Sequence, residues 1–436
     1  MGQVLQSDAA VAVTAKSAVL WRNPVAWLRE KQLSQGFWVL YTAFFFFHSG
    51  IAAYYFLFNL FLLDCHFNDR AIGLVGGAIA LGTAVGALPA GLLAKKVGLR
   101  PLLIACFVAT PVIGALRAVT MWESAQIGLA FFAGLASCLS GVCCLPAVAR
   151  LTTEENRAAA FGLIYSTSVG MSALAGVLCG YLPLWIRQAG FVMEPAQVKQ
   201  VVLLAACGIA ATGLFALIRL QVPSQRGENC GQDRTQDGTV RRRWRLHPFL
   251  LRYFAAMVLW TAVLTSFAPF SSVYLSQGRH IPLARIGLIF FVAQIVQSCL
   301  GLLSPIVFRR LGLLNGIVAT QVLSAVLLSC LAGTHDIRLV APLFIAFTAI
   351  LWMSTPGLEN LLMSGAPDED RSTASSMMMF CNSVVAAGAT SGTGILFVRF
   401  GYPRVLLGIS VLALAAALLF WILVAQTCRG VRGHEA

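Results

Sequence analysis

Two titratable side chains lie deep inside apolar runs of this 436-residue chain, and both have types that can do chemistry there. His48 interrupts the run from Gly36 to Leu63, and Glu359 interrupts the run from Leu339 to Met363. At bilayer depth an Asp, Lys or Arg costs about 2.5–3.5 kcal/mol on the insertion scale, whereas one Leu gains only about 0.3–0.6 kcal/mol. Residues of this kind must therefore face a protein interior or a wet cavity. An imidazole titrates near neutral pH and can carry a proton or hydrogen-bond a ligand; the alternative is a neutral histidine bonded to a neighbouring helix. Glu359 can exchange a proton, or pair with Arg309 or Arg310 at the end of an earlier run and so close a gate. No phosphate-binding loop, no His-Glu-x-x-His and no nucleophile-base set occurs, so enzymatic activity is not expected.

The elements that must position these groups read as helices. At 100° per residue, Tyr41, Phe44, His48, Ala52, Tyr55 and Asn59 share one face, while Val39, Ala43, Phe46, Gly50, Ala53, Leu57 and Phe61 form an apolar opposite face. The first face is the expected cavity wall. Thr348, Trp352, Thr355 and Glu359 share a face of a later run, next to Pro356, which frees a backbone carbonyl.

Composition demands a membrane. The chain is 58% hydrophobic and 11% charged with mean hydropathy +0.80, against roughly 25% charge in soluble domains. A span needs about 20 apolar residues, and twelve candidates follow one another. They run Gly36 to Leu63, Ala71 to Ala94, Leu102 to Met121, Ile127 to Ala149, Ala158 to Ile186, Val201 to Ile218, Tyr253 to Leu275, Ile286 to Phe308, Leu313 to Ala332, Leu339 to Met363, Ser375 to Val398 and Val405 to Ala425. The halves repeat without a gap: Ile72-Gly73-Leu74 returns as Ile286-Gly287-Leu288, and Lys95-Lys96-Val97-Gly98-Leu99 returns as Arg309-Arg310-Leu311-Gly312-Leu313. The expected fold is all-α and integral to the membrane, with twelve transmembrane helices in two six-helix, pseudo-repeated bundles.

The expected organisation is a cytoplasmic N-terminal segment 1–35, a first bundle 36–219, a cytoplasmic middle loop 220–252, a second bundle 253–426 and a cytoplasmic tail 427–436. With that topology 22 of the 31 Lys and Arg residues fall inside, which accounts for the net charge of +14 without invoking nucleic acid. The basic run Arg241 to Arg245 then serves topology and attraction to anionic lipid. No cleaved signal peptide is expected, and Trp21 to Lys31 reads as an interfacial helix. Short external loops without an Asn-x-Ser/Thr sequon point to a bacterial cytoplasmic membrane. The twelve cysteines, including Cys138, Cys143 and Cys144, lack metal-site spacing and read as small hydrophobes; no metal or cofactor is expected. Arg117 is placed at an outer helix end, where its long side chain can reach the interface.

The stretch Gly91-Leu92-Leu93-Ala94-Lys95-Lys96-Val97-Gly98-Leu99-Arg100, with the twelve runs and the 6+6 repeat, resembles the signature loop and architecture of the major facilitator superfamily. Gly91, Lys96, Gly98 and Arg100 fit that signature, while Lys95 stands where the family has Asp and would repel rather than pair with Arg150. The span 5 signature of drug exporters is incomplete, because Gly170, Gly176 and Gly180 lack the accompanying proline; these glycines read as close-packing sites. The resemblance implies a central cavity. Its spans put Tyr165, Ser168, Ser172, Trp260, Thr261, Thr265, Gln294, Gln297 and Asn382 near it, although such polar residues also bond helix to helix. Met377, Met378, Met379 and Phe380 could add an adaptable wall.

The candidate substrate-binding set is therefore Tyr41, His48, Tyr55, Tyr165, Trp260, Gln294, Gln297, Trp352 and Asn382. The candidate gating or coupling set is Gly91, Lys95, Lys96, Gly98, Arg100, Arg150, Arg309, Arg310 and Glu359. The resemblance implies a monomeric secondary active transporter of a small organic solute, possible coupling to protons, and alternating access within the lipid bilayer. With so little embedded charge, an uncharged or amphipathic substrate is expected. The competing class is a transporter-like assembly factor, receptor or scaffold, which the missing signature acid keeps open.

Overall fold

The computed structural model describes residues 33–190, 193–220, 248–334, 336–365 and 371–432. The segment from Trp21 to Lys31, most of the middle loop and the acidic stretch from Asp368 to Asp370 lie outside the described residues. Regular structure among them is helical throughout. The first half comprises α1 (Gln35–Asp64), α2 (Asp69–Val97), α3 (Leu99–Val119), α4 (Glu123–Leu151), α5 (Glu154–Gln188) and α6 (Pro195–Ile218). α1 and α2 begin at capping side chains. Ser34 accepts a hydrogen bond from the Phe37 amide at 3.2 Å, and Asn68 accepts one from Ala71 at 2.9 Å, satisfying amides that have no partner within their own helix.

In the second half α7 begins at Pro248–Phe267 and continues through tighter and wider turns to Gly278. Pro269 explains the change of winding: it has no N–H for the carbonyl four residues back, that of Thr265. The hydroxyl of Thr390 donates to this carbonyl instead, at 3.2 Å. The chain goes on with α8 (Leu283–Leu311), α9 (Leu313–Gly333) and α10, which runs as Ile337–Met353 and Thr355–Gly365 on either side of Ser354, two residues before Pro356. The helical stretch Arg371–Arg432 has non-helical backbone at Gly401 (φ 74°, ψ 165°) and is two helices, α11 (371–400) and α12 (402–432). Eleven helical segments are long and apolar enough to cross a membrane, the last of them being this pair, so the described residues hold twelve spans.

The internal repeat survives in the backbone to the residue. α2 and α8 are both 29 residues long, and α3 and α9 both 21. Gly98 (φ 94°) and Gly312 (φ 81°) make the same abrupt turn, and His66 (φ 65°) and His280 (φ 52°) share left-handed geometry just before α2 and α8. Only glycine adopts such a turn without a steric penalty, which is why the sequence repeat is legible at Gly98 and Gly312.

Within the first bundle the apolar face of α1 packs on α6. A Cβ on Gly50 would come within 2.6 Å of the Ala210 amide, and one on Gly213 within 2.5 Å of the Ala43 carbonyl. The two halves meet twice through small residues: a Cβ on Gly73 of α2 would lie 3.0 Å from the Gly394 Cα of α11, and one on Gly180 of α5 would lie 3.3 Å from the Gly287 Cα of α8. These contacts are related by the repeat, Gly73 with Gly287 and Gly394 with Gly180. Both lie toward the end that carries the α1–α2 and α7–α8 connections, here the distal end. Of the span 5 glycines, Gly176 and Gly180 thus pack closely against the second half, whereas Gly170 has open space beside it.

Candidate functional site

Three adjoining chambers lie along the seam between the halves. The distal chamber, about 340 Å³, is walled by Tyr55, Phe56, Phe58, Asn59, Arg117 and Phe290 among others. A chamber of about 460 Å³ on the side of the first half is lined by His48, Ala52, Tyr55, Phe56, Ser168, Ser172, Phe290 and Gln294. One of about 380 Å³ on the side of the second half is lined by Thr83, Thr261, Thr265, Trp352, Thr355, Glu359, Met378 and Asn382. Tyr55, Phe56 and Phe290 belong to the first two chambers and Ala80 joins the distal chamber to the third.

The polar-aromatic face of α1 meets the chambers from His48 onward. His48, Ala52, Tyr55 and Asn59 face the chambers, and half of the Tyr55 surface (50%) is exposed to them. His48 stacks on Phe44 with ring centroids 5.6 Å apart and meets Phe47 edge-on at 6.0 Å. Its imidazole forms no hydrogen bond with the described residues, so the neighbouring-helix bond that would make it purely structural is not present. The first turns of that face are used differently: Phe44 is buried in the bundle, and the Tyr41 hydroxyl meets that of Thr167 on α5 at 2.7 Å.

On the other wall the Thr261 hydroxyl donates to Asn382 Oδ1 at 2.8 Å, tying α7 to α11 at the edge of the chamber. Gln294 and Trp352 also reach the chambers. Trp260, Tyr165 and Gln297 do not line any of the three. Trp260 is 0% exposed within the core of the second half; it lies one residue, or about 100°, around the helix from chamber-facing Thr261. Tyr165 is 72% exposed, roughly 4.5 Å along α5 from Ser168, which does face the chamber. Gln297 is half-buried elsewhere on α8.

The gating candidates lie at the proximal end, opposite the glycine contacts. Arg100 Nη2 donates to the Ile218 carbonyl at 2.6 Å, capping the last turn of α6, where carbonyls lack partners within their helix and carry partial negative charge. Gly91 has open space beside it and Lys96 is exposed; the side chain of Lys95 lies outside what is described. Arg150 is half-buried in the last turn of α4, and Arg309 and Arg310 are exposed in the last turn of α8. Glu359 faces the chamber and is paired with neither arginine. Among the described residues the ion pair formed is Lys199 with Asp64, at 2.7 Å, between α6 and α1.

Polar contacts reinforce the distal closure. The Tyr402 hydroxyl donates to the Asp69 carboxylate, 3.0 and 2.9 Å from its two oxygens, and Asn59 Nδ2 donates to the Pro269 carbonyl at 2.7 Å. Phe56 and Phe290 meet edge to face at 5.7 Å. Every one of these contacts joins the two halves.

Arg117 corrects the sequence-based expectation. It does not reach an interface: it is 2% exposed, in the last turn of α3, with its guanidinium carbon 4.1 Å from the Phe58 ring centroid. Among the described residues Nε and Nη2 have no hydrogen-bond partner. A cation-aromatic contact offers about 0.5–2 kcal/mol, whereas withdrawing an ion from water costs several kcal/mol even after relaxation. The ring alone does not compensate the charge. The signal in the sequence was slight: Arg117 precedes further apolar residues, Ala118 and Val119, inside its run.

The sequence profile of the Major Facilitator Superfamily matches residues 40–390. The chain belongs to that superfamily. It is accordingly a multi-pass membrane protein with the two-bundle transporter fold. Among solved structures it is similar to a point mutant of the nucleoside transporter NupG (TM-score 0.70, 13% identity, covering 89% of this chain and 100% of that one). It is also similar to a bacterial homologue of the human lysosomal transporter Spinster, inward-facing and unoccupied (TM-score 0.69, 12%, 89% and 96%). A third likeness is to a D-xylose-proton symporter (TM-score 0.69, 12%, 88% and 95%). At these identities the likeness is one of fold. No curated protein matches the chain in sequence.

Proposed function

We propose that the chain is a monomeric secondary active transporter that moves a small organic solute across a bacterial cytoplasmic membrane by alternating access, coupled to protons. The observation that carries this reading is the run of adjoining chambers between two pseudo-repeated halves, closed distally by small-residue contacts that a rocking motion would part. His48 and Glu359 bring titratable groups to opposite walls of these chambers, and Gln294, Asn382, Tyr55 and Trp352 provide neutral hydrogen-bonding and aromatic surface. The proximal end is assigned to the cytoplasm because 22 of the 31 Lys and Arg residues fall on that side. The conformer is then inward-facing, and Glu359 meets Arg309 or Arg310 only when the proximal end closes.

The test is reconstitution in liposomes with an entrapped pH indicator and a panel of neutral and amphipathic solutes. At least one solute should drive a proton flux that depends on His48 or Glu359. Absence of solute-dependent flux for the whole panel, from correctly folded protein in both orientations, overturns the transport reading.

A further inference from the structure

Among the described residues the buried charge in the wall of the distal chamber has no counterion, and this points to the class of its occupant. We propose that Arg117 is an anion-binding residue and that the distal chamber takes the carboxylate of a small amphipathic monoanion; as a statement about substrate, this rests on the transport reading above.

A guanidinium cannot shed its proton to relieve burial, as a buried lysine or histidine can. Arg117 must stay charged, yet its Nε and Nη2 are unpartnered and no described carboxylate pairs with it. Asp64 is held by Lys199 and Asp69 by Tyr402. Arginine presents a planar fork of donors that matches a carboxylate in two parallel hydrogen bonds. The rest of the wall suits an apolar body: Tyr55, Phe56 and Phe290 offer aromatic faces, and Ile72 and Val75 aliphatic ones. The volume of about 340 Å³ is at the small end of ligand sites. One fixed cation compensates one negative charge, so a second carboxylate would be buried unpaired. The preference is for a monoanion with a ring or short chain, which narrows the expectation of an uncharged or amphipathic solute.

The probe is sodium benzoate, added to the full-length protein in nanodiscs and followed by calorimetric titration, with benzamide as its uncharged counterpart and sodium chloride as the inorganic anion. Benzoate should bind and benzamide should bind at least about tenfold more weakly, because only the anion compensates the guanidinium. Arg117→Gln should abolish the benzoate preference. Arg117→Lys should weaken benzoate about tenfold or more, since an ammonium lacks the fork. If Arg117→Gln does not fold, Ser272→Trp keeps the arginine and fills the chamber, and should block benzoate on its own.

Equal benzoate binding by wild type and Arg117→Gln overturns the proposal, as does no benzoate binding by folded wild type. Chloride binding that matches benzoate at equal concentration overturns the carboxylate assignment in favour of an inorganic anion. Benzoate binding without uptake of any solute into liposomes would refute the transport reading and leave the anion site standing. Uptake of neutral solutes by protein that does not bind benzoate would do the reverse.

Discussion

Gly287→Ala should change which conformer the protein occupies, and the distal contact sets the size of the effect. A Cβ on Gly287 would overlap the Gly176 carbonyl oxygen, with the carbonyl carbon at 2.9 Å and the Gly180 Cα at 3.3 Å. These are backbone atoms of α5, so no side-chain rotation can make room. Overpacking of this kind costs about 1–3 kcal/mol, and it falls on the state in which α5 and α8 touch. If rocking separates the two helices, the other state does not bear the cost, and the equilibrium shifts by about 5–150-fold. The readout is alkylation of Ser271→Cys in the distal chamber by an impermeant thiol reagent, with the native cysteines replaced. Its rate should rise within that range in Gly287→Ala. Gly134→Ala is the control. Its Cβ overlaps the Ile79 carbonyl, a contact between α4 and α2 inside one bundle, so it should lower thermal stability without exposing Ser271→Cys. An unchanged alkylation rate in folded Gly287→Ala, or an equal increase in Gly134→Ala, refutes the idea that the distal contact is specific to one conformer.

The remaining predictions concern coupling, gating and orientation. His48→Ala should impair solute-dependent proton flux in liposomes while the purified protein stays monodisperse, since the ring makes no hydrogen bond that holds a helix; normal kinetics with an unaltered pH profile would exclude an essential role. Glu359→Gln should remove the proposed closed-state partner of Arg309 and Arg310 and raise alkylation of Ser383→Cys on the chamber wall by a few-fold, whereas unchanged accessibility would defeat the gate assignment. Reporter fusions at Gly231 and Gly430 should be active only with cytoplasmic reporters, and periplasmic activity at either position would reverse the topology.

Much of the scaffold could be read from the chain because membrane spans announce themselves. Each of the twelve apolar runs became a helix, usually a turn or more longer than the run, since polar residues such as Glu123 and Gln126 at the start of α4 extend a helix past its apolar stretch. The face of α1 was legible because its helical period separates His48 and Tyr55 from Gly50 and Leu57 without ambiguity. Trp260 was not legible: an aromatic beside Thr261 could turn either into the bundle or toward the chamber, and the choice depends on neighbouring helices. Arg117 was missed for the opposite reason. Insertion energetics favour a charge reaching the interface, and only the packing of Phe58 and Tyr54 against α3 shows that this side chain stays inside.

The repeat is symmetric where backbone meets backbone and asymmetric where chemistry is available. Gly73 and Gly287 occupy equivalent positions, as do Gly98 and Gly312, and each pair makes the same contact or turn in its half. Ser168 and Asn382 are an equivalent polar pair on opposite walls, but the charged and titratable residues have no such counterparts. The position equivalent to His48 is Ala262, that of Glu359 is Leu145, that of Arg117 is Leu331 and that of Asp69 is Leu283. The two halves therefore meet distally through two equivalent small-residue contacts, while each of these charged or titratable groups exists once and stays with one wall. In the proposed cycle, rocking would change the surroundings of His48 relative to those of Glu359 instead of exchanging equivalent groups, and a single solute site whose protonation depends on which end is open would follow from that arrangement.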